Sequence, residues 1–217
     1  MSQFLKNENL DPEKVMKRFY TDGLAKGKGT VFTPKEIRDK LTIHAKEGMK
    51  ILVMFNWEIC VDLKKKNLTN VTFCSDDEGR NELVKKMGYQ AELVDPRSIN
   101  KKFEGMKFDL IISNPPYKGL DLNILENVLD LGEKVTIVHP ATWCLDRKDK
   151  KSIYIRLKRK LTNRVSHLEL LHGNNIFGVR FKVPIVITTC ENSSTIQVID
   201  NSKMFADHDV AYFAVVN

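Results

Sequence analysis

The sequence predicts an α/β protein built on a doubly wound, mostly parallel sheet. Three observations carry that reading. Short apolar runs of strand length alternate with longer segments of helical periodicity from Lys50 onward. Several runs, such as Leu110-Ile111-Ile112, are apolar throughout rather than alternating, as in strands covered on both faces. Three of the strand-length segments end in polar residues, Asp76, Asp95 and Asn114, at the edge where such sheets place a ligand.

Composition bounds the rest. A chain of 217 residues suffices for one substantial domain. The hydrophobic fraction of 42% and the charged fraction of 29% are those of a soluble globular protein. No apolar run approaches the ~20 residues of a membrane span. The first residues lack the apolar core of a signal peptide. Cys60, Cys74, Cys144 and Cys190 are far apart and form no paired motif. They read as reduced thiols of a cytoplasmic protein, with no metal site. The net charge of +7 favours a polyanionic partner. Much of it sits in residues 147–151 and 156–160, a basic helix that either contacts phosphates or forms a solvated face.

In chain order, Asp11-Pro12-Glu13 opens a helix running to about Tyr20. Gly23, Gly27 and Gly29 then mark a loop, so residues 1–30 form an N-terminal helical extension and 31–217 the main domain. Thr33 and Glu36 form a capping box around Pro34 at a helix start. The first core strand spans Lys50 to Phe55, and a helix follows from Trp57. The second strand ends at Asp76 and Asp77, and the third at Asp95-Pro96. Those acids either cap the next element or face a ligand. A helix from Asp121 is stopped by Gly132. A strand ending in His139 leads into Pro140-Ala141-Thr142-Trp143, and His139 reads as a strand-end residue. A strand over 167–172, a Gly173-Asn174-Asn175 turn and two last strands near 182–189 and 195–199 complete the chain.

The stretch around which the chain is organised is Ser113-Asn114-Pro115-Pro116-Tyr117. Neither proline can donate to a sheet ladder, so the strand stops in a stiff tip. That tip carries an amide, carbonyls and an aromatic ring. An amino group on a heteroaromatic ring is a poor nucleophile, because its lone pair is delocalised. Two acceptors on its hydrogens, the Asn114 side-chain oxygen and the Pro115 carbonyl, favour the nucleophilic form. The Tyr117 ring can hold a flat base by stacking, worth roughly 1–3 kcal/mol.

These residues resemble the motif of S-adenosylmethionine-dependent amino-methyltransferases. The order of segments, with Pro140-Ala141-Thr142-Trp143, resembles the TaqI-like, γ-type adenine-N6 DNA methyltransferases in particular. The same four residues also occur in methyltransferases of RNA adenine and of protein glutamine. The resemblance implies a Rossmann-like methyltransferase fold with S-adenosyl-L-methionine as cofactor and DNA, or RNA, as substrate. It implies catalytic roles for Asn114, Pro115, Pro116 and Tyr117. It also implies cofactor contacts by Thr33, Pro34, Asp76 (Asp77 second), Asp95 and Asn114. Phe177, or Phe181, would pack on the base opposite Tyr117.

Two departures shape the expectations. The family has a glycine-rich turn after the first strand, whereas this chain has Met54-Phe55-Asn56-Trp57-Glu58, with Glu58 the acid placed to replace a lost contact. Weakened cofactor binding is the expectation, with a silent relative that binds nucleic acid or a partner enzyme as the alternative. Only residues 191–217 follow the matched segments, too few for a target-recognition domain. The chain is then a catalytic domain alone, a fragment, or one half of a complex with a separate recognition subunit.

Overall fold

The computed structural model describes Met16 and residues 33–117, 119–143, 152–161, 163–177, 184–193 and 195–201. The expected first helix lies outside these residues except for Met16, which is helical and buried in the core. The glycine loop before Thr33, the basic stretch 147–151, Cys144 and Phe181 also lie outside them.

One eight-stranded sheet organises the chain, in the order β3-β2-β1-β4-β5-β7-β6-β8. Its strands are β1 Ile51–Met54, β2 Val71–Ser75, β3 Gln90–Leu93, β4 Phe108–Ser113, β5 Gly132–Pro140, β6 Val165–Leu171, β7 Ile185–Cys190 and β8 Gln197–Asn201. All neighbours pair in parallel except β7, which is antiparallel to both β5 and β6. The helices are α1 Lys35–Leu41, α2 Trp57–Lys65, α3 Glu78–Lys86, α4 Ile99–Lys102, α5 Asp121–Val128, α6 Ser152–Leu161 and α7 Gly173–Phe177. The predicted doubly wound, mostly parallel sheet is the one observed. Among the described residues, no helix is long and apolar enough to cross a membrane.

The apolar runs read as two-sided strands because each face of the sheet has its own core. Along β1, Leu52 and Met54 join one buried cluster with Phe55, Ile111, Leu125 and Val135. Ile51 and Val53 join the other, with Ile37, Trp57, Phe73 and Ile112. This is the period-two alternation of a strand, with both faces apolar. Cys60, Cys74 and Cys190 are free thiols inside these cores.

Three local expectations need correcting. The Thr33–Glu36 capping box does not form: Pro34 is the N-cap of α1, without a side-chain cap, and the Thr33 hydroxyl serves another partner. Gly132 does not stop a helix but opens β5, where a Cβ would stand 2.8 Å from Ile111 Cγ1. The Gly173-Asn174-Asn175 turn is the start of the short helix α7.

Candidate functional site

The sheet reverses its winding between β1 and β4. From β1 the chain moves outward through β2 to β3, then returns to pair β4 with the other side of β1. Loops leaving the C-terminal ends of β1 and β4 therefore diverge, and the crevice between them is the ligand position in such sheets. Met54 to Glu58 leave β1 there, and Asn114 to Tyr117 leave β4.

The β1 loop keeps a glycine-like bend without a glycine. Phe55 has φ 71°, the left-handed region that L residues rarely adopt. Its N–H still donates to the Cys74 carbonyl at 2.8 Å, and its own carbonyl accepts from Arg80 at 3.1 Å. The bulk expected at the ligand approach turns inward instead. Met54, Phe55, Asn56, Trp57 and Glu58 are all buried, with Phe55 in one core cluster and Trp57 in the other. Glu58 Oε1 accepts from the Thr33 backbone N–H at 2.9 Å and from Asn56 Nδ2 at 3.3 Å. Asn56 Oδ1 is buried without a hydrogen-bond partner.

The α1 entry is clamped onto this loop. Arg38, almost fully buried, reaches Asp62 of α2 at 2.5 Å and the Thr33 carbonyl at 2.8 Å. The Thr33 hydroxyl then accepts from Asn114 Nδ2 at 3.0 Å. Two segments far apart in sequence are thus joined at the strand ends, and the Asn114 amide is held by its nitrogen. Its oxygen accepts from the Tyr117 hydroxyl at 2.9 Å. Asn114 and Pro115 are buried, while Pro116 and Tyr117 are partly exposed.

Behind this loop lies a polar group the sequence did not reveal. Asp121, the first residue of α5, is 5% exposed, and burial pushes its carboxyl up to about 7. Burial, then the charge of Asp121, raises the Tyr117 phenol well above its usual range. Asp121 Oδ2 is 3.9 Å from His139 Nδ1, which has no hydrogen-bond partner. His139 Nε2 lies 3.0 Å from the Thr188 hydroxyl, and its ring stacks on Trp143, 7° from parallel. Burial pushes His139 down to about 3, so it is neutral. In the sequence Asp121 read as a helix start, and nothing local to it signals burial. The sharper clue was a histidine inside the apolar run of β5.

The acids at the strand ends divide their tasks. Asp77 caps α3 by accepting from the Arg80 N–H at 3.0 Å, while Asp76 stays exposed past the end of β2. Asp95 is exposed past β3, and its Oδ1 accepts from the Arg97 N–H at 2.9 Å in a turn. Phe177 ends α7 and packs, partly buried, against the cluster containing Ile112 and Ile185. In the basic helix α6, Arg156 pairs with Glu126 at 2.5 Å and Lys160 lies 3.5 Å from Asp130. The Arg156 hydrogen bond holds the Glu126 carboxyl below its usual range. Part of the basic cluster is therefore neutralised within the molecule.

No protein-family profile matches the chain, and no curated protein does. Solved structures do. A modification subunit assigned to a type I restriction enzyme from Vibrio vulnificus aligns with TM-score 0.64 at 15% identity, over 87% of this chain and 50% of that one. A type I restriction-modification methyltransferase subunit from Streptococcus thermophilus aligns with TM-score 0.62 at 13% identity, over 82% and 49%. A TehB-like S-adenosylmethionine-dependent methyltransferase from Corynebacterium glutamicum aligns with TM-score 0.52 at 13% identity, over 84% and 100%. The chain spans about half the length of the two restriction-modification subunits. At these identities the likeness is one of fold: the chain has the Rossmann-like fold of the S-adenosylmethionine-dependent methyltransferases.

Proposed function

We propose that the chain methylates the exocyclic amino group of adenine in DNA, using S-adenosyl-L-methionine. The observation that carries this reading is the held amide of Asn114. Thr33 fixes its nitrogen, so its oxygen is presented at the end of β4, next to Tyr117. Asn114 Oδ1 and the Pro115 carbonyl would accept the two hydrogens of the target amine and favour its nucleophilic form. The amine is paired in a duplex, so the base must leave the stack to reach them. Tyr117 and Phe177 would hold the extruded ring by stacking.

The residues present fit the cofactor. Asn56 Oδ1 is a buried acceptor without a partner at the end of β1, and such an atom calls for a ligand or water. Asp76 and Asp95 present exposed carboxylates past β2 and β3, where ribose hydroxyls and an adenine amino group would donate. Thr33 and Pro34 would wall the methionine end. When bound, S-adenosylmethionine supplies a methyl group on a sulfonium, ready for an incoming nitrogen.

The resemblance of Pro140-Ala141-Thr142-Trp143 to the TaqI-like DNA enzymes sets the chain apart from the protein-glutamine methyltransferases, and the charge of +7 suits DNA or RNA. We further propose that a separate subunit supplies target recognition; two of the structural neighbours are themselves subunits of type I restriction-modification systems. The test is transfer of a labelled methyl group to duplex DNA carrying a mismatched adenine, to RNA and to protein, followed by chromatography of the products. Label in N6-methyldeoxyadenosine is expected. Label confined to ribonucleosides or to glutamine would overturn the DNA reading.

A further inference from the structure

Thr33 can hold Asn114 only as firmly as Thr33 is itself held. The residue is fully buried and lies outside helix and strand, so side chains take up its backbone groups. Its carbonyl accepts from Arg38 Nη1 at 2.8 Å, and Arg38 Nε is anchored on Asp62 at 2.5 Å. Its N–H donates to Glu58 Oε1 at 2.9 Å.

Glu58 is the more telling of these partners. Its side chain comes from the first turn of α2, where a helix N-terminus favours a negative charge. It is 2% exposed, and a carboxyl so buried is costly unless its oxygens accept hydrogen bonds. Oε1 accepts two, from the Thr33 N–H and from Asn56 Nδ2 at 3.3 Å. One oxygen thus joins the loop after β1 to the entry of α1, and the Thr33 hydroxyl carries the connection on to Asn114 Nδ2 at 3.0 Å.

We propose that Glu58 is a positioning residue for amine methylation: through the Thr33 backbone it sets the place of the Thr33 hydroxyl, and through that hydroxyl the place of the Asn114 amide. This rests on the reading of Asn114 as the amine acceptor. Glu58 acts at two removes from the reacting atoms and exchanges no proton with them. Without its oxygen, the Thr33 N–H is left buried and unpaired, or moves to find a partner, and the hydroxyl moves with it. Arg38 still ties the segment to α2, so the change displaces Thr33 without releasing α1.

The test reads the Asn114 amide directly. The full chain is labelled with 15N in its asparagine side chains, and the Asn114 resonance is assigned by its loss in Asn114→Ala. It should move in Glu58→Met, which keeps bulk and removes the acceptor. The Asn81 resonance, whose amide donates to the Ser75 carbonyl at 3.1 Å, should stay in place and report an intact fold. Glu58→Gln keeps an acceptor oxygen, so it should move the Asn114 resonance less and in the same direction. At saturating cofactor, kcat for methyl transfer to DNA should fall about 10- to 100-fold in Glu58→Met, the cost of a small misplacement near the reacting atoms. KM for DNA should change little, and Glu58→Gln should recover most of the loss. In an Asn114→Ala background, Glu58→Met should cost nothing further. An Asn114 resonance unmoved in both variants, or a loss that persists in full in the Asn114→Ala background, overturns the role of Glu58 alone. A displaced resonance with no transfer by the wild type to any amine of DNA or RNA overturns the amine-methylation reading, and this role of Glu58 with it.

Discussion

The two edges of the sheet carry opposite solutions to the same problem, how to bury polar groups. At the edge where β1, β4 and β5 begin, a cavity of about 800 Å³ is lined by His44, Lys107, Asp109, Lys134, Arg164 and Glu191, among others. Several of its charges are paired within the fold. Lys134 meets Glu191 at 2.8 Å, Arg164 meets Asp130 at 3.0 Å, and Asp109 accepts from the Lys50 N–H at 2.6 Å. At the other edge stand the buried side-chain atoms that lack a partner among the described residues: Asn56 Oδ1 after β1, His139 Nδ1 and Trp143 Nε1 around the end of β5, and His172 Nδ1 after β6. Native proteins leave few such atoms, because each costs about 1–3 kcal/mol. Their concentration at one edge agrees with the proposed binding site there. The large cavity is the less informative feature, because several of its charged groups already pair with one another or with the backbone.

The comparison breaks most easily at Asn114. On the proposed reading, replacing it with Ala removes an acceptor from the target amine and leaves Asp76 and Asp95 in place. Methyl transfer should fall by about 10²–10³-fold, the cost seen when a polar group aimed at the reacting atoms is lost. Cofactor affinity, measured by calorimetry, should stay within a few-fold. A variant with near-normal turnover would make Asn114 a turn residue and nothing more.

Two pH effects sharpen the contrast. His139 is held at about 3 in the folded protein, below its ordinary 6.5. Its contribution to stability is present above pH 6.5 and is lost as pH falls toward 3. The Asp121 carboxyl is raised from 3.8 to about 7, so its contribution is present below pH 3.8 and is lost as pH rises through 7. Melting temperature should therefore fall less steeply on the acid side in His139→Gln and less steeply between pH 4 and 7 in Asp121→Asn than in the wild type. Thermal melts over that range check both signs. Parallel curves for variants and wild type would show that neither group is buried as described.

The smallest effect belongs to the opposite edge. Lys134→Met removes a partly exposed ion pair with Glu191. Such pairs contribute about 0–1 kcal/mol, so stability should move little. Methyl transfer should not change, and a large loss of activity would place a functional site at the wrong end of the sheet.

How much of this was legible depended on whether the signal was local. Strands such as 108–113 announced themselves by continuous apolar runs, and the held tip after β4 by two prolines that end a ladder. Asp77 and Asp76 could be given two jobs from position alone, and Asp77 does cap α3. The clamp between Thr33, Glu58 and Asn114 was not legible, because it joins residues up to 81 apart through side chains. A capping box was the local reading of Thr33, and a tertiary partner won. The β1 loop misled in another way. Bulky residues in place of glycine implied an obstructed approach, but Phe55 adopts the left-handed backbone and its ring enters the core. The basic helix misled through pairing, since Glu126 and Asp130 on a neighbouring helix and its end take up charges counted as free.

The central claim is that the edge with unpartnered polar atoms holds S-adenosylmethionine. Calorimetric titration of that cofactor, and of its demethylated product, into the wild type, Asp76→Ala and Asp95→Ala tests it most directly. The account predicts weak but measurable binding to the wild type. Each variant should bind less tightly by roughly 1.5–3 kcal/mol, the contribution of a hydrogen bond to a charged group. Absence of heat with the wild type, with and without DNA, would contradict it. The chain would then be a methyltransferase fold that binds nucleic acid or a partner enzyme without carrying the reaction.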